Sequence, residues 1–204
     1  MSIKSEYNIY KNLQNKIKSK NTSKFWFNQE NRYVNPFQIY GNLYYVGDSW
    51  VCVHIVDTGH GLLMFDAGNC GGEAMLIHSI WKLGFNPEDV KWIILSHGHV
   101  DHFGAVNFFK RMFGTKIYIG KPDAEIGYND FNMRKLYLQS LKKVWNEKVD
   151  IFMGNHTSNI NLLEKRRYML ENPNKNPFID SFDWKKYLNS KYNELMELIN
   201  SEIN

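Results

Sequence analysis

The stretch "ILSHGHVDHFGA", residues 94–105, places three histidines and an aspartate within six positions, directly after an apolar run. That run, "DVKWIILS" (89–96), is rich in β-formers and fits a buried strand ending near Leu95. His97 and His99 lie two apart, so they project to the same side of an extended backbone. Asp101 and His102 follow as the chain turns into the next helix. Imidazole and carboxylate are the usual ligands of Zn²⁺ and similar ions, at about 2.0–2.2 Å. Strand ends are where α/β proteins place their sites. Gly98 leaves room for the turn, and Gly104 allows close backbone packing. The plainer alternative is a polar turn with solvated histidines. Four ligand-type residues in six positions at a strand end favour a metal site over it.

The pattern extends in both directions. Upstream, "FQIYGNLYYVG" (37–47) and "SWVCVHIVDTGHGLLMFDAG" (49–68) alternate with β period, the second split by a turn at Thr58–Gly61. They predict an antiparallel meander over about 37–66. "GGEAMLIHSIWKLG" (71–84) changes to helical period, with apolar residues at 76, 77, 80, 81 and 83 and Gly84 as the stop. Downstream, "FGAVNFFKRMFG" (103–114) is helical, with Ala105, Phe108, Phe109 and Met112 on one side and Gly114 closing it. "TKIYIG" (115–120) is the next strand. Residues 61–119 therefore alternate strand, helix, strand, helix, strand, an α/β pattern with crossover units. Apolar residues at 133, 136, 137, 141, 144 and 145 predict an amphipathic helix. "VDIFMGNH" (149–156) reads as a strand leading to His156, "SNINLLEKRRYML" (158–170) as a helix, and "NPNKNPF" (172–178) as a loop. Residues 183–200 form a terminal helix, with Trp184, Tyr187, Leu188, Tyr192, Leu195 and Ile199 on one face.

Composition agrees with one globular domain, 25–204, preceded by a polar arm at 1–24. The 204 residues are 43% hydrophobic, 23% charged and 15% aromatic, ample for a core. The formal charge of +4 comes from scattered Lys and Arg. The basic clusters at 16–20 and 164–167 lack aromatic interleaving, which argues against nucleic-acid binding. No apolar stretch reaches the roughly 18 residues of a membrane span, so no membrane partner is expected. The first residues lack an apolar core of the signal-peptide kind. The sequence as it stands predicts a cytoplasmic protein, or a secreted one if a leader has been removed. Two cysteines, Cys52 and Cys70, are expected as buried free thiols.

"SHGHVDH" resembles the HxHxDH motif of metallo-β-lactamase-fold hydrolases. "LLMFDAG" resembles that family's preceding strand, ending in an aspartate, here Asp66. The order across "LGFNPEDVKWIILSHGHVDHFGAVNFFKRMFGTKIYIGKPDAE" (83–125) is similar throughout, and "VDIFMGNH" resembles the strand that delivers a final histidine. "NPFIDSFDWKKYL" (176–188) resembles the subclass that binds both zincs with His and Asp alone. The resemblance covers most of residues 30–204. It implies an αββα sandwich of two similar halves. It implies His97 and His99 as two of three ligands of a first metal position, and Asp101, His102 and His156 as all three protein ligands of a second. Asp66 would brace the metal loop, and Asp101 would also orient or deprotonate the attacking water.

One part of the family pattern is missing. The third ligand of the first position is normally a histidine between the motif and the final ligand, and no histidine occurs between His102 and His156. A block of several strands is expected to be absent near 125–129, roughly 40–70 residues at ~8–12 per strand and turn. His54, His60 and His78 are each expected to be structural or solvated rather than replacement ligands. The expectation is therefore one Zn²⁺ at Asp101, His102 and His156, with a second ion weak or absent. The implied function is hydrolysis of a small carbonyl substrate by metal-activated water: a β-lactam or a related lactone, thioester or amide. The alternative is a degenerate, non-catalytic, metal-binding member acting as an interaction protein. A nuclease of the same fold is disfavoured by the lack of an extra domain or a basic groove. A homodimer would cover the edges left by a shortened second half.

Overall fold

The computed structural model describes residues 29–121 and 133–201. The arm expected at 1–24 and the expected point of loss near 125–129 lie outside the described residues. Six strands form one sheet: β1 (Phe37–Tyr40), β2 (Leu43–Tyr45), β3 (His54–Asp57), β4 (Leu62–Phe65), β5 (Val90–Ile94) and β6 (Lys116–Tyr118). They lie side by side in chain order. The first three pairings are antiparallel and the last two parallel. This division follows from the connections. Tight turns such as Thr58–Gly61, where both the Thr58 amide and hydroxyl donate to the Gly61 carbonyl, join antiparallel neighbours. Helical crossovers are needed between parallel ones.

The first crossover is α1 (Glu73–Lys82) and the second combines α2 (Val100–Phe103) and α3 (Val106–Phe113). Helix α1 ends as its sequence predicts. Gly84 is left-handed at φ 87°, its amide donates to the Trp81 carbonyl and that of Phe85 to Ile80, the Schellman arrangement that glycine permits. Both crossovers pack on one face of the sheet. Leu76, Ile80, Ala105 and Phe109 meet Ile55, Met64, Val90 and Ile93 in the main core. Met112, expected on the inner side of α3, is exposed, and Phe113 packs there instead. Trp81 on α1 also faces solvent. Each lies next to a better-buried residue that already fills the stripe.

The opposite face is covered unevenly. One cross-strand row runs Phe37, Tyr45, His54, Phe65, Ile94, Tyr118. Phe37 and Tyr45 are buried beneath Ile160, Leu162, Leu163 and Phe178. His54 is 3% exposed, Ile94 38% and Tyr118 51%. Cover over this face therefore thins out toward β5 and β6. The covering layer comes from the second half, through α5 (Leu162–Glu171) and residues beside it, while α4 (Met133–Val144) and α6 (Ser181–Ser201) pack on each other. Leu141 of α4 packs with Leu188 and Leu195 of α6 in a cluster of their own.

Two expectations need correcting. Residues 149–156 are not a strand: only isolated bridges form, Ile151 to Ile179 and Val51 to His156. Among the described residues no neighbouring strand runs alongside them, and a lone extended segment cannot build a ladder. The sandwich of two sheets is accordingly represented by one sheet among the described residues. Secondly, Cys52 is buried but Cys70 is exposed, on the loop after β4.

Gly104 joins the motif to that loop. Its amide donates to the Gly68 carbonyl, Ala105 to Ala67, and Ala67 in return to the His102 carbonyl. A Cβ at Gly104 would overlap the backbone of Asn69 and Cys70. Backbone cannot swing aside as a side chain can, so Gly104→Ala should cost about 3 kcal/mol or more. Urea unfolding of the variant checks this; a midpoint within error of wild type would contradict the packing.

Candidate metal centre

The C-terminal ends of β4 and β5 point to the site. Beyond β4 lies Asp66, at φ 59°, a left-handed conformation uncommon for a residue with a side chain. The turn delivers its buried carboxylate beneath the histidine motif. Oδ1 accepts from the Ser96 amide at 2.7 Å, and Oδ2 accepts from the Ser96 hydroxyl at 2.8 Å. Oδ2 also lies 2.9 Å from His102 Nδ1. A carboxylate that accepts on both oxygens makes Nδ1 of His102 the donor, so the proton sits on Nδ1. The other nitrogen, Nε2, then carries a lone pair.

His156 is prepared in the same way from another direction. Its Nδ1 lies 3.2 Å from the Trp50 carbonyl, which can only accept. Its Nε2 is again the lone-pair nitrogen. Trp50 belongs to a loop held by Asp48, whose Oδ1 accepts from the amides of Trp50 and Val51 at 2.7 Å each. The buried guanidinium of Arg32 lies 3.4 Å from the other oxygen. Burial pushes the Asp48 carboxyl up, with Arg32 opposing it. The Thr157 hydroxyl donates to Ser49 and the Cys52 amide to Asn155, clamping the His156 segment onto this loop.

The result is a triangle of electron-pair donors. His102 Nε2 and His156 Nε2 are 3.3 Å apart, and Asp101 Oδ2 lies 3.5 Å and 3.7 Å from them. A tetrahedral zinc with bonds of about 2.05 Å separates its ligands by roughly 3.3 Å. Asp101, His102 and His156 could therefore hold a metal ion. Burial, with His102 second, lowers the pKa of His156, which keeps its imidazole neutral and available.

His97 and His99 are arranged differently. The Ser96 hydroxyl gives its proton to Asp66, so its oxygen accepts from His97 Nδ1 at 2.9 Å. His97 Nε2 then accepts from His99 Nδ1 at 2.7 Å. The His97 ring lies 4.2 Å from that of His102, centroid to centroid, and its pKa is lowered first by burial and then by His102 and His99. The remaining histidines lie elsewhere. His60 is exposed in the β3–β4 turn, and His78 on α1 sits 5.9 Å from the Tyr33 ring. His54 is buried on β3 against Tyr45.

The Trp50 carbonyl, Asp48 and Ser96 are supports that the sequence reading did not identify. A backbone carbonyl leaves no trace in sequence. Asp48, two residues before Trp50, has the spacing of an Asx turn and was the one available signal.

Burial lowers the pKa of His54 to about 4. This has a consequence for stability. Above about pH 6.5 the group is neutral in both folded and unfolded chains. Between 6.5 and 4 only the unfolded chain takes up the proton, so stability falls by about 1.4 kcal/mol per pH unit, roughly 3 kcal/mol in all. Urea midpoints from pH 7 to 4 should show this slope, flattened in His54→Leu. An equal slope in the variant would contradict it.

A family model described as the metallo-beta-lactamase superfamily matches residues 51–177, more than half of the chain. The chain belongs to the metallo-β-lactamase superfamily. Its fold is similar to that of the native FEZ-1 metallo-β-lactamase from Legionella gormanii, with a TM-score of 0.75 and 20% identity over 85% of this chain and 98% of that one. BJP-1, a subclass B3 metallo-β-lactamase of Bradyrhizobium japonicum, gives 0.78 and 19% over 89% and 98%. GOB-18 from Elizabethkingia meningoseptica gives 0.75 and 21% over 85% and 95%.

Proposed function

We propose that the chain is a metal-dependent hydrolase that holds one Zn²⁺ on Asp101, His102 and His156. The observation that carries this is the triangle of 3.3, 3.5 and 3.7 Å. Its two imidazole nitrogens face one another without a proton between them, because each ring's proton is engaged on the far side. Two lone pairs and a carboxylate oxygen converging in this way repel unless a cation lies among them. Three protein ligands with a fourth position open are the arrangement of a catalytic zinc. Bound there, the ion would lower the pKa of its water and polarise a carbonyl.

The chain's own groups complete the chemistry. With an ion held there, the Asp101 carboxylate would orient the attacking water and take up its proton. Asp66 and the Trp50 carbonyl hold the two rings in register throughout. His97 and His99 share a proton at 2.7 Å, closer than two ligands of one ion sit. They would have to give up that proton and separate before a second ion could use both, so a second ion is weak. The same feature supports the rival reading of a non-catalytic metal-binding member.

The substrate would be a β-lactam or a related lactone, thioester or amide. The solved structures similar in fold carry the name metallo-β-lactamase, which favours β-lactams as the first trial. Hydrolysis of a chromogenic cephalosporin, a lactone and a thioester should rise on zinc addition and disappear with a chelator. Metal binding without turnover on any of these would transfer the assignment to the binding protein. Among the described residues no helix is long and apolar enough to cross a membrane. Exposed Ile94 on β5 and Tyr118 on the edge strand β6 favour a homodimer covering them, which sedimentation of the purified chain would detect.

A further inference from the structure

Arg32 is a charged side chain with no solvent exposure. It ends the short helical turn Gln29–Arg32 at the start of the described chain. A fully buried arginine is rare, and an apolar side chain of similar volume often serves stability as well. What Arg32 lies against is the loop that carries Trp50.

Arg32 holds that loop from both backbone and side chain. Its carbonyl accepts from the Ser49 amide at 2.8 Å, and its neighbour Tyr33 forms a bridge with Asp48. Its guanidinium Nε lies 3.4 Å from Asp48 Oδ2, while Oδ1 of the same carboxylate accepts from the amides of Trp50 and Val51. The loop is closed tightly: a Cβ on Gly47 would lie 2.5 Å from both the Val51 carbonyl oxygen and the Val53 amide nitrogen. The orientation of the Asp48 carboxylate therefore sets where Trp50 and Val51 stand.

From Trp50 the contacts lead to one ligand of the triangle. The Trp50 carbonyl accepts from the Thr157 amide at 3.1 Å and lies 3.2 Å from His156 Nδ1. His102 takes its support from Asp66 instead, on the other side of the site. The series Arg32, Asp48, Trp50, His156 thus bears on one imidazole and leaves its neighbour to a separate anchor.

We propose that Arg32 is a positioning residue for the metal centre: by fixing the Asp48 carboxylate it holds the Trp50 carbonyl against His156 Nδ1, and so keeps His156 Nε2 turned toward the ion. The proposal rests on the reading of Asp101, His102 and His156 as the metal site. A guanidinium suits the task because it stays charged when buried. Groups that directly orient a metal ligand are worth about 10–100-fold in metal affinity. Arg32 acts from further back, so the lower end of that range, about tenfold, is expected.

The test compares wild type, Arg32→Met and Arg32→Lys as full chains. Zinc affinity, from competition with a colorimetric chelator, should fall about tenfold in Arg32→Met. In the metal-stripped chain at about pH 8, where histidine is neutral, the imidazole nitrogen shifts in NMR report which nitrogen of each ring carries the proton. The Nδ1–H to Nε2–H ratio of His156 should fall about tenfold in Arg32→Met, the weakening of one hydrogen bond, with that of His102 unchanged. Arg32→Lys keeps the charge but not the planar fork and should lose about threefold in each measurement. A merely structural role would loosen both rings or neither. No change at His156, equal changes at His156 and His102, or unchanged zinc affinity would each overturn the proposal, and the same criteria are read on Arg32→Lys should Arg32→Met not fold. The ring readout needs no metal, so it fails separately from the metal reading. A His156→Ala chain that holds zinc as tightly as wild type would overturn the metal reading, and the role of Arg32 with it.

Discussion

His156→Ala is expected to take the protein from about one zinc per chain to a small fraction of that, while leaving it folded. The ion is expected to have three protein ligands. Structural zinc sites draw about 10–16 kcal/mol from four ligands, so each contributes on the order of 3 kcal/mol, a factor of roughly 10²–10³ in affinity. His156 is half-buried, and its segment remains clamped by the Thr157 and Asn155 bonds to residues 49–52. Loss of the ring should therefore remove a ligand without releasing the loop. Metal content after dialysis, measured by mass spectrometry beside a urea denaturation, tests this. Two tightly held zincs in the wild type would show that His97 and His99 have a third partner and that the one-ion reading is wrong. Unchanged metal in the variant would exclude His156 as a ligand. Neutral imidazole is the binding form, and the His156 pKa is lowered. Metal should thus stay bound as pH falls through the ordinary histidine range near 6.5 and leave below it.

Asp66→Ala should harm both stability and metal binding, and the two losses can be separated. The substitution removes the acceptor of His102 Nδ1, which is buried, and of the Ser96 amide and hydroxyl, which are part-buried. Unmet buried donors cost about 1–3 kcal/mol each, partly relieved by water, so a total of about 3–5 kcal/mol is expected. Alanine is also less suited than aspartate or asparagine to a φ of 59°. Once His102 is no longer held, metal affinity should fall by about 10–100-fold. Asp66→Asn keeps one acceptor and the left-handed preference, so it should recover part of the metal affinity. If Asp66→Ala lost stability but bound zinc as wild type does, the carboxylate would be only a structural anchor of the β4 turn.

Legibility in the sequence varied with how local each feature is. The meander, the crossover helices and the Gly84 and Gly114 stops depend on neighbours within one or two turns, and their residues carry that information directly. The motif was legible for the same reason, since His97, His99, Asp101 and His102 lie on one strand end and one short helix. His156 could be singled out only through family resemblance, because it reaches the site across 54 residues from His102. Its segment was misread as a strand. "VDIFMGNH" has β character, but a strand also needs a neighbour to pair with. Met112 was misplaced because helical period identifies a face and not which of its edges the body covers.

The sequence by itself determined the α/β class, the order of the elements and the candidate ligands of the motif, since periodicity, glycine stops and the HxHxDH spacing are all short-range. Only the tertiary structure decided which of those side chains face one another. The triangle of Asp101, His102 and His156 depends on the Asp66 carboxylate and the Trp50 carbonyl fixing each imidazole's proton from outside, and on Asp48 shaping the loop that carries Trp50. The pairing of His97 with His99 and the burial of His54 likewise come from long-range packing. Such packing sets distances between residues far apart in the chain, and distances of a few tenths of an ångström decide whether nitrogens share a proton or a metal ion.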